Sequence, residues 1–251
     1  MEDLFGNMKR VLLTVAYDGT NYHGWQAQDN ANTIEAELNK ALTDLVNEKI
    51  EVIGASRTDT GVHALGNLAV FDTEMQMPAE KFSYALNARL PEDIRIVGSK
   101  EVPLDFHPRK TGMKKRYEYH IYSAEFPSPV RRLYSHFTYH ELDVEKMREA
   151  AQYLVGEHDF TSMCSVNAQS DSKVRTIYDI SVMKHGPEII ISVVGSGFLY
   201  NMVRIIAGTL MEVGMGRKPA AWVGEALEAR NREAAGPTAP ACGLVLVGYE
   251  E

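Results

Sequence analysis

The stretch from Ile50 to Phe71, IEVIGASRTDTGVHALGNLAVF, decides the fold. Its ends read as strands, Ile50 to Ala55 and Leu65 to Phe71, because apolar and β-branched residues dominate them. Between them lies a run rich in turn formers that holds one carboxylate, Asp59, beside Arg57. A strand that breaks into a short loop and returns sets that carboxylate on a rigid scaffold, where reactive groups are commonly held. Thr58 and Thr60 can hydrogen-bond the local backbone, and Gly61 permits a sharp turn. An Asx-turn aspartate that only shapes its loop has the same local sequence.

Working outward, RVLLTVAY from Arg10 to Tyr17 is a buried-strand pattern that ends at the turn former Asp18-Gly19. Asn32, with Glu35 three residues on, predicts a helix N-cap, and Ile34, Leu38, Leu42 and Leu45 follow at helical spacing up to Val46. Pro78 opens a second helix through Leu90, and Ile94 to Val102 is a further strand. Strand, helix, two strands, helix, strand is the split βαβ order of ferredoxin-like units. The second half echoes it. Lys115 to Tyr122 is a strand, Val144 to Val155 a helix, and Ile177 to Lys184 with Glu188 to Val194 a hairpin. Phe198 to Val213 and Ala220 to Ala229 are helices, and Leu244 to Val247 is the last strand. The expected class is therefore α+β, with two ferredoxin-like halves, each a mostly antiparallel sheet with helices on one face. The halves are expected at residues 8–104 and 114–250, joined by a linker at 105–113.

The chain has 251 residues, 45% of them hydrophobic, enough to bury a sizeable core. MEDLFGNMKR mixes both charge signs with no apolar stretch behind it, and no membrane-length apolar run occurs anywhere, so a cytoplasmic, membrane-free protein is expected. Cys164 and Cys242 are too few for a disulfide framework and are expected to be reduced. A net charge of −8 argues mildly against nucleic acid, yet Arg109, Lys110, Lys114, Lys115, Arg116, Arg131 and Arg132 gather in the middle of the chain. A basic face on an acidic protein and a solvated surface with chance clustering both fit that distribution.

Two further residues carry chemistry. Arg204 lies in FLYNMVRIIAGTLMEV, a helix apolar on most of its circumference, where a buried guanidinium needs an anion or must reach solvent at the helix edge. Were Asp59 that anion, the pairing would keep the carboxylate ionised. In KKRYEYHIY, Tyr117, Tyr119 and Ile121 share one strand face; an aromatic beside basic residues suits stacking on a base, but a tyrosine face is more often a core face. Other chemistries are not supported. His136 and His140 are four apart, but HFTYH lacks the Glu of a helical zinc motif and favours strand, so no metal site is expected. GTLMEVGMGRKP lacks the Gly-Lys-Ser/Thr ending of a phosphate loop, and no Gly-x-Ser-x-Gly elbow is present.

The chain resembles the A-type tRNA pseudouridine synthases. The resemblance rests on YDGTNYHGWQAQ (Tyr17 to Gln28), ASRTDTGVHA (Ala55 to Ala64), DFHPRKTG (Asp105 to Gly112), KRYEYHIY, DFTSM (Asp159 to Met163), GFLYNMVRIIAGTLMEVG, and Gly243-Leu244. It implies the pseudouridine synthase fold, in which the two halves form one continuous, mostly antiparallel sheet with helices on one face and a catalytic cleft between them, and isomerisation of uridine to pseudouridine at positions 38, 39 and 40 of the tRNA anticodon arm, without metal or cofactor. It implies Asp59 as nucleophile, at C1′, at C6 or through a glycal, with Arg204 paired to it. Tyr117 would pack on the flipped base, Leu244 line the pocket and Arg57 help extrude or replace the flipped base. His107, Arg109, Lys115 and Arg116 would belong to the RNA surface, with a structural linker role the alternative for His107 and Arg109. Homodimers with RNA lying across both subunits are the implied assembly. The rival class is a non-catalytic RNA-binding or tRNA-folding protein on the same scaffold.

Overall fold

The computed structural model of the protein describes residues 8–168 and 170–251. The leader-free reading of MEDLFGNMKR falls mainly on residues 1–7, outside the described residues. The chain divides into two compact units, Met1–Gly112 and Met113–Glu251.

In the first unit β1 (Lys9–Tyr17) is followed by α1 (Ile34–Val46), β2 (Ile53–Gly54), β3 (His63–Thr73), α2 (Phe82–Asn87) and β4 (Ile94–Val102). The sheet runs β4-β1-β3, with β2 also on β3, every pairing antiparallel. That is the expected split βαβ arrangement. Its core is built from Val11, Leu13 and Val15 of β1, Ile34, Leu38 and Leu42 of α1, and Phe82 and Leu86 of α2.

Three local readings are corrected. Thr33, not Asn32, caps α1, its Oγ1 accepting from Ala36 N at 3.3 Å. The strand expected over Ile50 to Ala55 shrinks to two residues, because α1 takes the backbone donors: Ile50 N–H donates to Thr43 Oγ1 (3.1 Å) and Val52 N–H to Asn39 Oδ1 (2.8 Å). The helix expected from Pro78 to Leu90 is a 3₁₀ turn, Ala79–Lys81, and then the short α2. Asn87 ends α2 by bonding both the N–H and the carbonyl of Ile96.

The second unit contains β5 (Lys114–Ser123), β6 (His136–Thr138), α3 (Val144–Ala151), β7 (Gly156–Asp159), β8 (Val174–His185), β9 (Glu188–Gly195), α4 (Met202–Gly214), α5 (Trp222–Glu228) and β10 (Leu244–Glu250). Its sheet order is β10-β5-β9-β8-β7, with β6 parallel to β5. Strands β10-β5-β9-β8 repeat the β4-β1-β3-β2 order of the first unit, so the echo read from element order is a real topological repeat. The strand preference of HFTYH holds as β6.

Helix α3 ends four residues earlier than expected, at Ala151, where a 3₁₀ turn leads to Gly156 at φ +111°. α4 begins at Met202 rather than Phe198, because Asn201 adopts the left-handed conformation at φ 61° and breaks the helical path. α5 is likewise trimmed from Ala220–Ala229 to Trp222–Glu228. The unexpected β7 is four residues of mostly polar sequence, GEHD, with no apolar alternation to reveal it.

Candidate active site

Asp59 sits in the loop between β2 and β3 and is half-buried. The loop does not hold itself. Asp18 to Trp25, the segment after β1, splints it from outside: Trp25 N–H donates to Thr58 O (3.0 Å) and Gly61 N–H to Tyr22 O (3.2 Å). Val62 N–H closes the turn onto the Asp59 carbonyl at 3.1 Å, with Gly61 at φ 77°.

The fit admits little side chain. A Cβ on Gly24, itself at φ +86°, would stand 2.6 Å from Thr58 O, and one on Gly19 would stand 2.0 Å from Val62 O. Thr58 departs from the expected local backbone bond: its buried hydroxyl pairs with Tyr17 OH at 2.7 Å, the last residue of β1. Asn67 of β3, fully buried, braces the other flank, donating to Ser56 O (2.9 Å) and accepting from Ser56 N–H (3.3 Å). Tyr22 is anchored in turn by its hydroxyl, which donates to Asp93 at 2.6 Å. Burial, and then that hydrogen bond, hold the Tyr22 phenol protonated well above its ordinary range.

Arg57 is exposed and, among the described residues, has no hydrogen-bond or ion-pair partner. Nearby, His107 and Arg109 knit structure. His107 Nδ1 accepts from Arg109 N–H (3.2 Å), and Arg109 Nε donates to Gly54 O (2.7 Å), at the strand end that opens the Asp59 loop.

In the second unit, Tyr117 is 8% exposed on β5, between Leu246 of β10 and Val193 of β9, with the ring of Phe198 edge-on at 5.2 Å. Leu244 opens β10, buried and opposite Tyr119 in register. Arg204 is half-buried; only it and Glu212 escape burial in α4. Its Nε donates to Ala239 O (2.7 Å) and its Nη1 to Asn201 Oδ1 (2.8 Å), while Arg204 O accepts from Ala239 N–H (3.1 Å). The guanidinium thus clamps the 234–241 loop onto α4. Gly208 makes that contact possible, since a Cβ there would meet Pro237 O at 1.9 Å.

Of the expected RNA-surface residues on β5, Lys115 lies over the ring of Tyr249 at 5.9 Å. Arg116 is tied to the Glu250 carboxylate and to Ser192 Oγ (2.9 Å), so its charge is already met within the sheet.

Residues that single-residue reasoning passed over are Tyr17, Gly24, Trp25 and Asn67. The signal was the density of aromatics and glycines in YDGTNYHGWQ, outside any periodic element, which marks chain held by specific packing rather than by a helix or strand.

The chain that folds into these repeated split βαβ units, with its externally splinted Asp59 loop, matches a known family across most of its length. The family described as tRNA pseudouridine synthase matches residues 13–109 and 150–250, and this chain belongs to it. Its relatives include proteins named tRNA pseudouridine synthase A. That of Acetivibrio thermocellus is 49% identical over 240 residues, 96% of this chain and 98% of the relative. That of Ruminiclostridium cellulolyticum is 48% identical over 241 residues (96% and 98%), and that of an Exiguobacterium species 47% over 246 residues (97% and 99%).

Proposed function

We propose that this chain isomerises uridine to pseudouridine in the anticodon stem-loop of tRNA, at positions 38, 39 and 40, with Asp59 as the attacking carboxylate. The observation that carries the reading is the bracing of Asp59. Loop carbonyls, amides and hydroxyls on both sides of it are committed to Tyr17, Tyr22, Trp25 and Asn67. A carboxylate aimed at one atom needs this preorganisation, because placement error costs rate steeply.

The chemistry asks for one carboxylate. The C1′–N1 bond breaks, the uracil turns, C5 bonds to C1′, the C5 proton leaves and N1 gains one, so the reaction is redox-neutral and consumes no water. Arg204 keeps Asp59 ionised, Tyr117 packs on the extruded base, Leu244 lines the base pocket and Arg57 fills the space the base vacates. Lys115 contributes to the phosphate-binding face, while His107, Arg109 and Arg116 act mainly by holding backbone and sheet in place. A homodimer lets an acidic chain gather positive potential along one RNA track. Among the described residues no helix is long and apolar enough to cross a membrane, and we place the protein in the cytoplasm with its tRNA.

The test is pseudouridine mapping on unmodified tRNA incubated with wild type and with Asp59→Ala, with tRNA binding measured in parallel. Conversion by wild type alone, with binding retained in both, supports the reading. Conversion by Asp59→Ala removes the nucleophile assignment, and binding without conversion by either protein points to the RNA-binding alternative.

A further inference from the structure

Within the second unit, the segment between β5 and β6 folds over a cavity of about 220 Å³. Its walls include Tyr122, Pro127, Phe137 and Pro240. They are firmly set. Tyr122 and Phe137 are register partners in the β5–β6 pair, the Pro240 carbonyl accepts from Tyr119 OH at 2.8 Å, and Cys242 Sγ contacts Ser135 O at 3.5 Å.

What lines this apolar hollow is unusual. Arg131 is paired with Glu188, but its neighbour Arg132 has no ion-pair or hydrogen-bond partner among the described residues. The imidazole of His136 and the hydroxyl of Tyr122 are equally unpartnered there, although both residues are half-buried. Arg132 is exposed, so one unspent cation and two half-buried polar side chains line a single largely apolar concavity, the composition of a ligand site.

We propose that this cavity is a nucleotide subsite that takes a nucleoside 5′-phosphate, with the base against Pro127, Phe137 and Pro240, its edge bonded by Tyr122 and His136, and the phosphate on Arg132. Burial lowers the proton affinity of His136 and keeps it neutral, so the ring offers one donor and one acceptor, the mixed pattern of a base edge. The charge and the flat apolar walls suit a nucleotide better than a bare anion or a purely apolar ligand. This subsite is separate from Asp59 but extends the RNA reading above. Pro240 follows Ala239, whose carbonyl holds Arg204, so an occupant bears on the loop that positions that arginine. Two sources share the chemistry: a nucleotide of the bound RNA outside the reacting uridine, and a free mononucleotide.

Cys242 in the cavity wall is a built-in reporter, while Cys164 is buried and serves as the internal control. Burial raises the Cys242 thiol, so modification by N-ethylmaleimide is followed at mildly alkaline pH by mass spectrometry. The full-length protein is treated alone and with UMP, AMP, uridine, inorganic phosphate or unmodified anticodon-arm RNA, as wild type and as Arg132→Gln. UMP or AMP is expected to slow Cys242 modification severalfold, uridine less, and phosphate not at all, with the protection lost in Arg132→Gln. Protection by the RNA as well, also lost in Arg132→Gln, assigns the strand as source; protection by mononucleotides alone assigns the free nucleotide. The proposal is overturned if neither mononucleotides nor RNA protect, if phosphate protects as well as UMP, or if protection persists in Arg132→Gln. The readout needs no turnover and is repeated on Asp59→Ala, so its failure is distinguishable from failure of the isomerase reading.

Discussion

The backbone N–H of Trp25 donates to the carbonyl oxygen of Thr58 at 3.0 Å, one residue before Asp59. Because the donor follows a glycine at φ +86° whose missing Cβ leaves room for that same carbonyl, the two segments approach more closely than any side-chain-bearing residue allows. The position of the carboxylate is thus set by a backbone contact between chain stretches more than thirty residues apart in sequence.

Gly24→Ala therefore strikes both function and stability. The left-handed backbone alone costs about 1–2 kcal/mol for alanine, and overlap of the new Cβ with the Thr58 carbonyl adds to it, so Tm should fall by at least a few degrees in a chain of this size. The new methyl also displaces Thr58 and with it Asp59, so kcat for pseudouridine formation is expected to fall at least about tenfold while tRNA affinity holds. Thermal melts together with single-turnover kinetics check this, and unchanged turnover would show that the splint does not set the carboxylate.

Arg204→Lys is not a conservative change here. One ammonium cannot reproduce the fork that engages Ala239 O and Asn201 Oδ1 at once. We expect a stability loss of about 1–3 kcal/mol and a drop in activity, read by denaturant titration and by tritium release from 5-tritiated uridine in tRNA. A lysine variant as stable and active as wild type contradicts the clamp.

Arg57 and Arg116 separate an unspent cation from a spent one. Arg57→Ala, an exposed side chain without partners among the described residues, should change stability by no more than about 0.5 kcal/mol. Its loss should also reduce the salt slope of tRNA binding by about one unit. Arg116→Ala should leave that slope nearly unchanged, because Glu250 already neutralises the guanidinium. Binding isotherms at several salt concentrations decide between them; equal slope changes would return Arg116 to the RNA surface.

His136 gives the fold a defined acid sensitivity. Burial lowers its folded proton affinity below the ordinary value of about 6.5. Below that pH the unfolded chain takes up a proton that the native ring refuses, so stability falls as pH drops from about 6.5 toward the folded value and is flat beneath it. His136→Gln removes this contribution, so wild type should lose Tm relative to the variant between neutral pH and pH of about 5.5. Parallel Tm curves would remove His136 as a source of acid sensitivity.

Much of the fold was legible because its signals are local. Helix α1 follows from Ile34, Leu38 and Leu42 at helical spacing, and β1 and β3 from runs rich in apolar residues that bury as expected, except Leu65, which is exposed. The split βαβ order of both units follows from the order of those elements. Boundaries fared worse wherever a side chain from elsewhere claimed the backbone, as when Asn39 and Thr43 of α1 took the donors of Val52 and Ile50 from the expected strand. The left-handed Asn201 shortened α4 in the same way, through a conformation that helical periodicity cannot register.

The sequence by itself determined the element order, the Tyr117 strand face and the placement of one aspartate in a turn-rich loop, since composition and periodicity act within a few residues. Only the tertiary structure decided that Tyr17, Gly24, Trp25 and Asn67 brace that aspartate, that Arg204 clamps the 234–241 loop, and that Arg132 and His136 line one cavity. Those are hydrogen bonds and close approaches between residues distant in the chain, whose partners exist only after the backbone has folded.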